Sequence, residues 1–491
     1  MQRLAALFAL AAAAPAPPHD AVTVTVGAPR AGCAPLPPNF ASLSMEVPDA
    51  PLYFGAAGAP NAAFANLMRA LQRASGGRGP SLRIGGNTAD HSVFLPTGAL
   101  PPNTTYRITQ ADLDGYAAAL PAWDGRAVID TNFFFENSTA WVAAHAAAVT
   151  ASIGWDLIEG VEMGNEPEIY HDEGYRAPAW TFADYEREFE AHVAAAEAAG
   201  MPHGRVQGAV FCCHNPSYDG GFANYSLKYA ARGDLASVSH HHYALGGCSG
   251  GPLTLAELLN STAASAAYLA PFGAGARAAG VPFRVGEANS VSCGGRANIS
   301  DVFGSALWAL DFSLAAAGVG AAQINYHGSP RGGHYSAIAF PNLPASTVPD
   351  VRPLFYGLWA VSFATANASA VLNATIASSN AAIVAHALRG ADGATRVALV
   401  HKDLGPGAPP ARVVIVPAAG GGGGPAELRR LLVAGGDAGA ARGITWAGLT
   451  FDGSKDGNPL GTPAVEAVAR AADGTFAFDL PPRSAAVLVF V

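Results

Sequence analysis

Short apolar runs rich in β-branched residues alternate with Ala-rich stretches of helical period between residues 40 and 330, and this alternation strongly limits the possible folds. It is typical of repeated βα units. The eight predicted strands are Ala41–Val47, Ser81–Gly85, Arg126–Asn132, Gly160–Gly164, Arg205–Phe211, Ser237–Tyr243, Phe283–Glu287 and Ala321–Tyr326. The helical segments recognised between them are Asn61–Ala74, Thr139–Ser152, Phe182–Ala199, Leu255–Ala279 and Ile299–Ala317. Eight strand–helix units close most economically as a (β/α)₈ barrel, the TIM barrel of the α/β class.

The pattern changes after Pro353, where strand-like runs are separated by Gly, Pro, Asp and Asn. These runs are Ala382–Leu388, Arg396–His401, Ala411–Val416, Ile444–Phe451, Thr475–Leu480 and Ala485–Val491. Such spacing predicts a C-terminal antiparallel β-sandwich domain, to which Val22–Val26 could add one strand. The predicted organisation is therefore a leader at 1–16, an N-terminal segment at 17–38, a barrel at 39–352 and a β-sandwich at 353–491.

The first residues have the pattern of a secretory signal peptide. Arg3 supplies a basic start, Leu4 to Ala14 form an apolar stretch, and small residues follow. A buried N-terminal helix is the alternative. Seven N-x-[ST] triplets are consistent with N-glycosylation of an exported protein, and they begin at Asn103, Asn137, Asn224, Asn260, Asn298, Asn367 and Asn373. We therefore expect a secreted glycoprotein.

The net charge and the length of the apolar segments argue against some classes of partner. The net charge is −9, and no run of Lys and Arg is dense enough to follow a phosphate backbone, so nucleic acid is not expected as a partner. No later segment of about 20 residues is free of Gly, Pro and charge, so no membrane span is predicted. The oligomeric state is not predicted by the sequence.

Five cysteines are compatible with an oxidising compartment. Cys248 and Cys293 lie in Gly-rich loops that should follow successive barrel strands, and we pair them as a hypothesis. One of the adjacent residues Cys212 and Cys213 is a candidate partner for Cys33. No C-x₂-C or His-x₃-His spacing indicates a metal site, and no metal is expected.

Polar residues gather where the predicted strands end, which is where barrel enzymes carry their active sites. The polar strand ends are Arg83–Asn87, Asp130–Asn132, Gly164–Pro167, His240–Tyr243, Gly286–Asn289 and Asn325–Gly328. Two carboxylates, Glu166 and Glu287, follow the fourth and seventh strands directly. Because these strands lie on opposite sides of an eight-stranded barrel, the two side chains can face each other across one substrate.

A pair of facing carboxylates is what cleavage of a glycosidic bond with retention requires. One protonates the leaving oxygen, and the other attacks the anomeric carbon from about 5–5.5 Å away. Asn165, directly before Glu166, can bind the sugar 2-hydroxyl. The sequence Gly-Asn-Glu-Pro at 164–167 after a strand is therefore a fairly specific signal.

These residues also allow other interpretations. Glu166 alone could cap a helix or form an ion pair. The run His240–His242 could suggest a metal, but successive strand residues point to opposite faces, so the three cannot converge. Arg83 lies inside a strand, and a buried ion pair below the active site is favoured over direct substrate contact.

At these motifs the chain resembles glycoside hydrolase family 79, the β-glucuronidase and heparanase family. The resemblance rests on three segments and on a C-terminal β-domain motif, namely Arg83–Asn87, Met163–Tyr170, Gly286–Gly295 and Ala447–Gly453. It extends from the strand Ser42–Glu46 through the barrel, so it covers nearly the whole mature chain.

The resemblance implies roles for individual residues. Glu166 matches the family's acid/base and Glu287 its nucleophile, while Tyr243 resembles the tyrosine that orients the nucleophile. Polar contacts to the sugar at the non-reducing end are implied for Glu46 and Asn87. The segment that resembles the uronate-binding loop contains Tyr326, His327, Gly328 and Tyr335.

The expected function is that of a secreted, retaining exo-β-glucuronidase that removes terminal β-D-glucuronic acid, or its 4-O-methyl ether, from glycans or glycosides. The alternatives are a heparanase-like endo-β-glucuronidase, a neutral-sugar hydrolase such as a β-xylosidase, and an inactive glycan-binding protein. No cofactor is implied, since two carboxyl groups and water suffice. The carboxyl pair predicts a bell-shaped pH profile with an acidic optimum.

Overall fold

Eight parallel strands close into a barrel in the order in which they occur along the chain. The computed structural model describes residues 21–135, 138–213, 216–378, 380–418 and 424–491. Barrel strands one to eight are Ala41–Glu46, Ser81–Gly85, Arg126–Thr131, Ile158–Met163, Val206–Phe211, Leu235–Leu245, Phe283–Val291 and Ala321–His327. The predicted (β/α)₈ barrel is confirmed, and strands six and seven extend further than the sequence indicated.

The main helices of the barrel follow the strands in turn. They are Ala62–Ser75, Gln110–Ala119, Thr139–Ser152, Phe182–Ala198, Pro216–Arg232, Leu255–Asn260 with Thr262–Ala279, Phe303–Gly318 and Pro353–Ala364. Thr109, Thr181 and Thr254 each form a capping box, which satisfies free N–H groups at the helix start. The predicted helix Leu255–Ala279 is divided at Ser261 into two helices.

Short elements connect the larger ones. A short helix, Ala50–Phe54, follows the first barrel strand. The two-stranded sheets are Gly55–Ala56 with Ala59–Pro60, Ser92–Phe94 with Tyr106–Ile108, and Ile338–Ala339 with Asp350–Val351.

The helix Pro353–Ala364 completes the ring around the barrel, because it packs between the helices Ala62–Ser75 and Phe303–Gly318. Its outer side is covered by the C-terminal domain, where Phe451 contacts Phe355 and Trp359. A helix enclosed on all sides is apolar all round and has no amphipathic period. Sequence periodicity therefore did not reveal it.

A twelve-stranded, mainly antiparallel sheet forms the C-terminal domain. Its strands are Val22–Pro29, Ala368–Ala377, Ile383–Gly390, Thr395–His401, Ala411–Val416, Ala426–Val433, Ile444–Trp446, Leu449–Thr450, Leu460–Gly461, Glu466–Val468, Phe476–Leu480 and Ser484–Phe490. The N-terminal strand joins this sheet as predicted, antiparallel to Ala368–Ala377 and parallel to Ala411–Val416.

Strands of this sheet contribute apolar residues to two different cores, one on each face. In Thr395–His401, Ala398 and Val400 belong to the core shared with the barrel, whereas Val397 and Leu399 belong to a second core within the domain. This alternation follows from the period of two along a strand. At the interface with the barrel, the buried carboxylate of Asp311 accepts hydrogen bonds from Lys402 and His386 at 2.9 and 2.8 Å.

Two disulfides are present among the described residues. Cys248 and Cys293 are joined, which is the pair proposed from the sequence. Cys212 and Cys213 are joined to each other, and Cys33 is a partly buried free thiol, so the suggested bridge from Cys33 is wrong. The carbonyl of Gly318 accepts a hydrogen bond from the Cys33 thiol at 3.5 Å.

The predicted signal peptide and the sequon at Asn137 lie outside the described residues. Among the residues that are described, no helix is both long and apolar enough to cross a membrane.

Candidate active site

Two glutamates from opposite sides of the barrel meet at the carboxyl ends of its strands. Glu166 follows strand four, and Glu287 lies in strand seven. A carboxylate oxygen of each, together with a ring nitrogen of His241, lies within 4.8 Å of the others. The two carboxyl groups are therefore closer than the separation of about 6.5–9.5 Å that is typical of inverting glycosidases.

The fully buried guanidinium of Arg83 holds the floor of the site together. It donates to Glu287 Oε2 at 2.6 Å and to Glu162 Oε2 at 2.7 Å. A third hydrogen bond reaches Asn165 Oδ1 at 2.9 Å. The predicted buried ion pair of Arg83 is therefore confirmed, and one side chain links strands two, four and seven.

The environment shifts the pKa values of the two glutamates in opposite directions. Burial and the negative charge of Glu287 raise the pKa of Glu166 well above its usual value. Burial also opposes ionisation of Glu287, but the charges of His327 and Arg83 and the hydrogen bond from Tyr243 lower its pKa to about 2. One carboxyl group is thus kept neutral and the other ionised, which is the pattern of an acid and a nucleophile.

Tyr243 and His327 contact the carboxylate of Glu287. The Tyr243 hydroxyl donates to Glu287 Oε1 at 2.6 Å. His327 Nδ1 lies 3.4 Å from Glu287 Oε2, and its Nε2 lies 3.6 Å from Glu46 Oε1. Burial would lower the pKa of His327, but the charges of these two glutamates outweigh it and raise that pKa. Tyr335 packs beside Tyr243 and His327, with ring centroids 6.1 and 6.0 Å away.

The loop after strand four is held in an unusual conformation. Glu166 has a φ of 54°, in the left-handed region that non-glycine residues rarely adopt. The preceding Asn165 is fixed on both sides, since its amide N–H donates to Asp90 Oδ2 at 3.2 Å and its side chain donates to Asn87 Oδ1 at 2.8 Å. At Gly164 a Cβ atom would lie 2.4 Å from both Phe133 and the Tyr170 hydroxyl. Glycine is therefore required immediately before the Asn–Glu pair.

The predicted substrate-binding residues fall into two groups. Glu46, Asn87, His327 and Tyr335 lie around the glutamate pair, through the contacts just given. Thr88 fixes Glu46 by donating from its backbone and its hydroxyl.

Tyr326 and Gly328, also predicted to bind substrate, make contacts within the protein. Strand eight extends to His327, so its alternation turns Tyr326 outward, where its hydroxyl lies 2.6 Å from Ser313 in the helix layer. The amide of Gly328 donates to the carbonyl of Ser44 at 3.0 Å and is already engaged.

His241 reaches the site although the sequence did not single it out for a role there. Its Nδ1 lies 2.7 Å from Glu166 Oε1, and its side chain is fully buried. His240 and His242 point the other way and stack on Phe272 and Tyr268. The expectation that the three histidines do not converge is confirmed. The alternation of strand six was the signal that one of them faces inward.

Two groups of potential metal ligands occur in the described part of the chain. The first consists of Glu166, His241 and Glu287, whose short mutual contacts are those of the site itself. In the second, Glu168 accepts hydrogen bonds from the backbone of Cys212 and Cys213, whose sulfur atoms are joined in the disulfide. Neither arrangement indicates a metal in preference to proton chemistry.

A (β/α)₈ barrel with a neutral and an ionised glutamate facing each other at the ends of strands four and seven has the arrangement that glycoside hydrolysis requires. Residues 385–488 match the description "Glycosyl hydrolase family 79 C-terminal beta domain". Over 369 residues the chain is 25% identical to a β-glucuronidase of Aspergillus niger, which covers 69% of this chain and 66% of that protein. A β-glucuronidase of Neurospora crassa is 24% identical over 59% of this chain and 56% of its own length. The aligned regions thus span less than two thirds of both relatives.

Solved structures agree with this assignment of the fold. A 4-O-α-L-rhamnosyl-β-D-glucuronidase from Fusarium oxysporum superimposes with a TM-score of 0.78 at 21% identity, covering 96% of this chain and all of that one. A family 51 arabinofuranosidase from Xanthomonas axonopodis gives a TM-score of 0.66 at 14% identity over 96% of this chain. The chain is thus similar to members of glycoside hydrolase family 79, through its C-terminal β-domain and through the barrel fold.

Proposed function

We propose that this protein is a secreted, retaining exo-β-glucuronidase. The observation that carries the proposal is the glutamate pair. A carboxylate oxygen of Glu166 lies within 4.8 Å of one of Glu287, and the pKa values of the two side chains are shifted in opposite directions. The β-glucuronidases among the relatives support the sugar. The signal-peptide pattern at 1–16 supports export.

The geometry supports a double displacement. Glu287, ionised and oriented by Tyr243 and Arg83, attacks the anomeric carbon, while neutral Glu166 gives its proton to the leaving oxygen. The ester to Glu287 removes one negative charge from the site, so Glu166 can stay ionised. It then takes a proton from water as the water oxygen displaces Glu287 from the sugar.

The surroundings of the glutamate pair favour an acidic sugar. The pKa of His327 is raised, so the protonated ring adds positive charge beside Glu46 and Glu287. The ring of Tyr335 packs edge-on against the same imidazole, with the centroids 6.0 Å apart. The loop that carries Tyr335 resembles the uronate-binding segment of the family, and we assign the substrate carboxylate to it.

Hydrolysis of aryl β-glycosides tests the proposed function. We expect turnover of the aryl β-D-glucuronide at pH 4–6, and much slower turnover of the matching glucoside and xyloside, which lack the carboxylate. Proton NMR of the first product should show the β-anomer, as retention requires. Preferential cleavage of the xyloside would contradict the sugar, and initial α-anomer would contradict retention. Internal cleavage of heparan sulfate, seen by size profiling, would replace exo with endo action.

The pH dependence of kcat/KM should be bell-shaped. The active form has Glu287 ionised and Glu166 protonated. Activity is therefore lost as the pH falls towards the pKa of Glu287, near 2, and as it rises through the raised pKa of Glu166. Initial rates over pH 2–9 measure both limbs, and replacing Glu166 by Gln should remove the alkaline limb. An optimum above pH 8 would contradict this assignment.

A further inference from the structure

We infer that His241 is a positioning residue for Glu166: its Nδ1–H donates to Glu166 Oε1, leaves Oε2 to carry the catalytic proton, and stabilises the ionised carboxylate when Glu166 acts as the base. This inference rests on the proposed function, because it assigns His241 to the acid/base of that reaction. The contact that carries it is the 2.7 Å separation between His241 Nδ1 and Glu166 Oε1.

The surroundings of the imidazole decide which ring nitrogen carries the proton. His241 Nε2 is buried and has no hydrogen-bond partner among the described residues. A buried N–H without an acceptor is rarer in proteins than an acceptor without a donor. The proton is therefore placed on Nδ1, where Glu166 Oε1 accepts it. Burial and the positive charge of Arg83 lower the pKa of His241 to about 3, so the ring stays neutral in the working range.

This tautomer determines how Glu166 presents its acid proton. Oε1 already accepts the N–H of His241, so a proton on Oε1 would face another proton. The proton of neutral Glu166 must therefore sit on Oε2, which delivers it to the leaving oxygen. In the second step Oε2 takes a proton from the attacking water, while Oε1 keeps the hydrogen bond that favours the ionised form.

His241 acts among several other charges that face Glu166. Glu287 and Glu173 disfavour ionisation of Glu166, and Arg83 and His327 favour it. Glu168 adjoins it two residues further on, and the charge of Glu166 raises the pKa of Glu168. These groups remain when only His241 is replaced. If the rate or the pKa of Glu166 changes only in variants without a donor at the Nδ1 position, the change therefore reports on the hydrogen bond between His241 and Glu166.

Two substitutions at position 241 separate the hydrogen bond from packing. In His241→Asn the side-chain amide occupies the place of Nδ1 and keeps a donor, whereas in His241→Gln the amide lies near the place of Nε2. His240→Asn is the matched control, because His240 is a buried neighbour in the same strand that stacks on Phe272, away from Glu166. Circular dichroism and thermal unfolding establish that each variant is folded.

The kinetic test uses 2,4-dinitrophenyl β-D-glucuronide, whose leaving group needs little acid assistance. For His241→Gln we expect a burst of dinitrophenol followed by steady-state turnover about 10- to 100-fold slower than wild type, because a hydrogen bond to a charged group is lost. Azide, which needs no base, should restore turnover, and the alkaline limb should move to higher pH. His241→Asn and His240→Asn should stay near wild type. Equal losses in the Asn and Gln variants, with no shift of that limb, would overturn the inference.

A second measurement is independent of the substrate. The carboxyl stretch of Glu166 is titrated by infrared difference spectroscopy and assigned by its absence in Glu166→Gln. We expect the pKa of Glu166 to rise in His241→Gln and to remain close to wild type in His241→Asn. If the wild type hydrolyses no glucuronide but this pattern holds, the proposed sugar fails and the inference stands. Identical titrations in all variants would refute the inference whatever the substrate is.

Discussion

Replacing Glu287 with Gln is expected to lower kcat on an aryl β-D-glucuronide by at least about four orders of magnitude. Gln has the shape of Glu but an uncharged amide, which cannot form the glycosyl ester. The fold should survive the change, because the Tyr243 hydroxyl retains an acceptor and Arg83 keeps its ion pair with Glu162 at 2.7 Å. Initial rates at pH 5, with the folded fraction checked by circular dichroism, measure the loss.

Glu168→Gln is a close control for this prediction. Glu168 is a buried glutamate two residues after the acid/base, and burial and the charge of Glu166 raise its pKa to about 8. It is therefore neutral at pH 5, and Gln can still accept hydrogen bonds from Cys212 and Cys213. We expect kcat within a few-fold of wild type.

A trapping experiment identifies the nucleophile directly. A 2-deoxy-2-fluoro-glucuronosyl fluoride reacts slowly enough for the ester to accumulate. Mass spectrometry should find the added sugar on the peptide that contains Glu287 in the wild type and no addition in Glu287→Gln. Modification of a different carboxyl group would refute the assignment of Glu287.

Replacing Arg83 with Met is expected to cause the largest loss of stability. The change leaves the carboxylates of Glu162 and Glu287 buried without their cation, and breaking a buried ion pair in this way typically costs about 3–5 kcal/mol. Urea denaturation at pH 7 measures the free energy of unfolding. The same variant should lose activity, since Glu287 is no longer held ionised or linked through Arg83 to Asn165.

Replacing Arg83 with Met should reverse the pH dependence of the stability that Glu287 contributes. In the wild type, the pKa of Glu287 is about 2 in the folded protein, whereas a Glu in the unfolded chain has a pKa of about 4.3. The ionised carboxylate therefore contributes stability that is fully present above the unfolded pKa and is lost as the pH falls towards 2. Without Arg83 burial should dominate and raise that pKa, so the folded state binds the extra proton and stability falls as the pH rises. If the free energy of unfolding of Arg83→Met depends on pH as it does in the wild type, Arg83 does not hold the pKa of Glu287 low.

The variant Arg284→Met is a control that separates a loss of stability from an effect on the pKa of Glu287. Arg284 lies in the first part of strand seven and contacts the partly buried carboxylate of Glu159 at 2.8 Å. Its loss should also destabilise the fold. At a temperature where both variants remain folded, we expect the acidic limb of kcat/KM to shift to higher pH only in Arg83→Met.

The barrel and the positions of its glutamates could be predicted from local patterns. Period-two apolar runs and helical stretches are properties of neighbouring residues, and a Glu directly after such a run marks the carboxyl end of a strand. An apolar alternation also suggested Val22–Val26 as an additional strand of the C-terminal sheet, and the observed strand in that sheet is Val22–Pro29.

Strand ends and enclosed elements could not be predicted in this way. The eighth strand extends to His327 because it pairs with strand one, where His327 lies opposite Ser44. That pairing decides that Tyr326 faces the helix layer and His327 the site. The helix Pro353–Ala364 lacks an amphipathic period because the barrel and the sheet enclose it from both sides.

The class of fold, the pair of glutamates and the resemblance to family 79 follow from the amino-acid sequence, because each of them resides in short contiguous segments. Which charges surround the two glutamates depends on how the chain folds. Arg83 meets Glu287 across 204 positions and His241 meets Glu166 across 75, and no local pattern records such contacts. Closure of the barrel brings these side chains into a buried site, where the weak screening of charge drives the pKa values of the two glutamates apart.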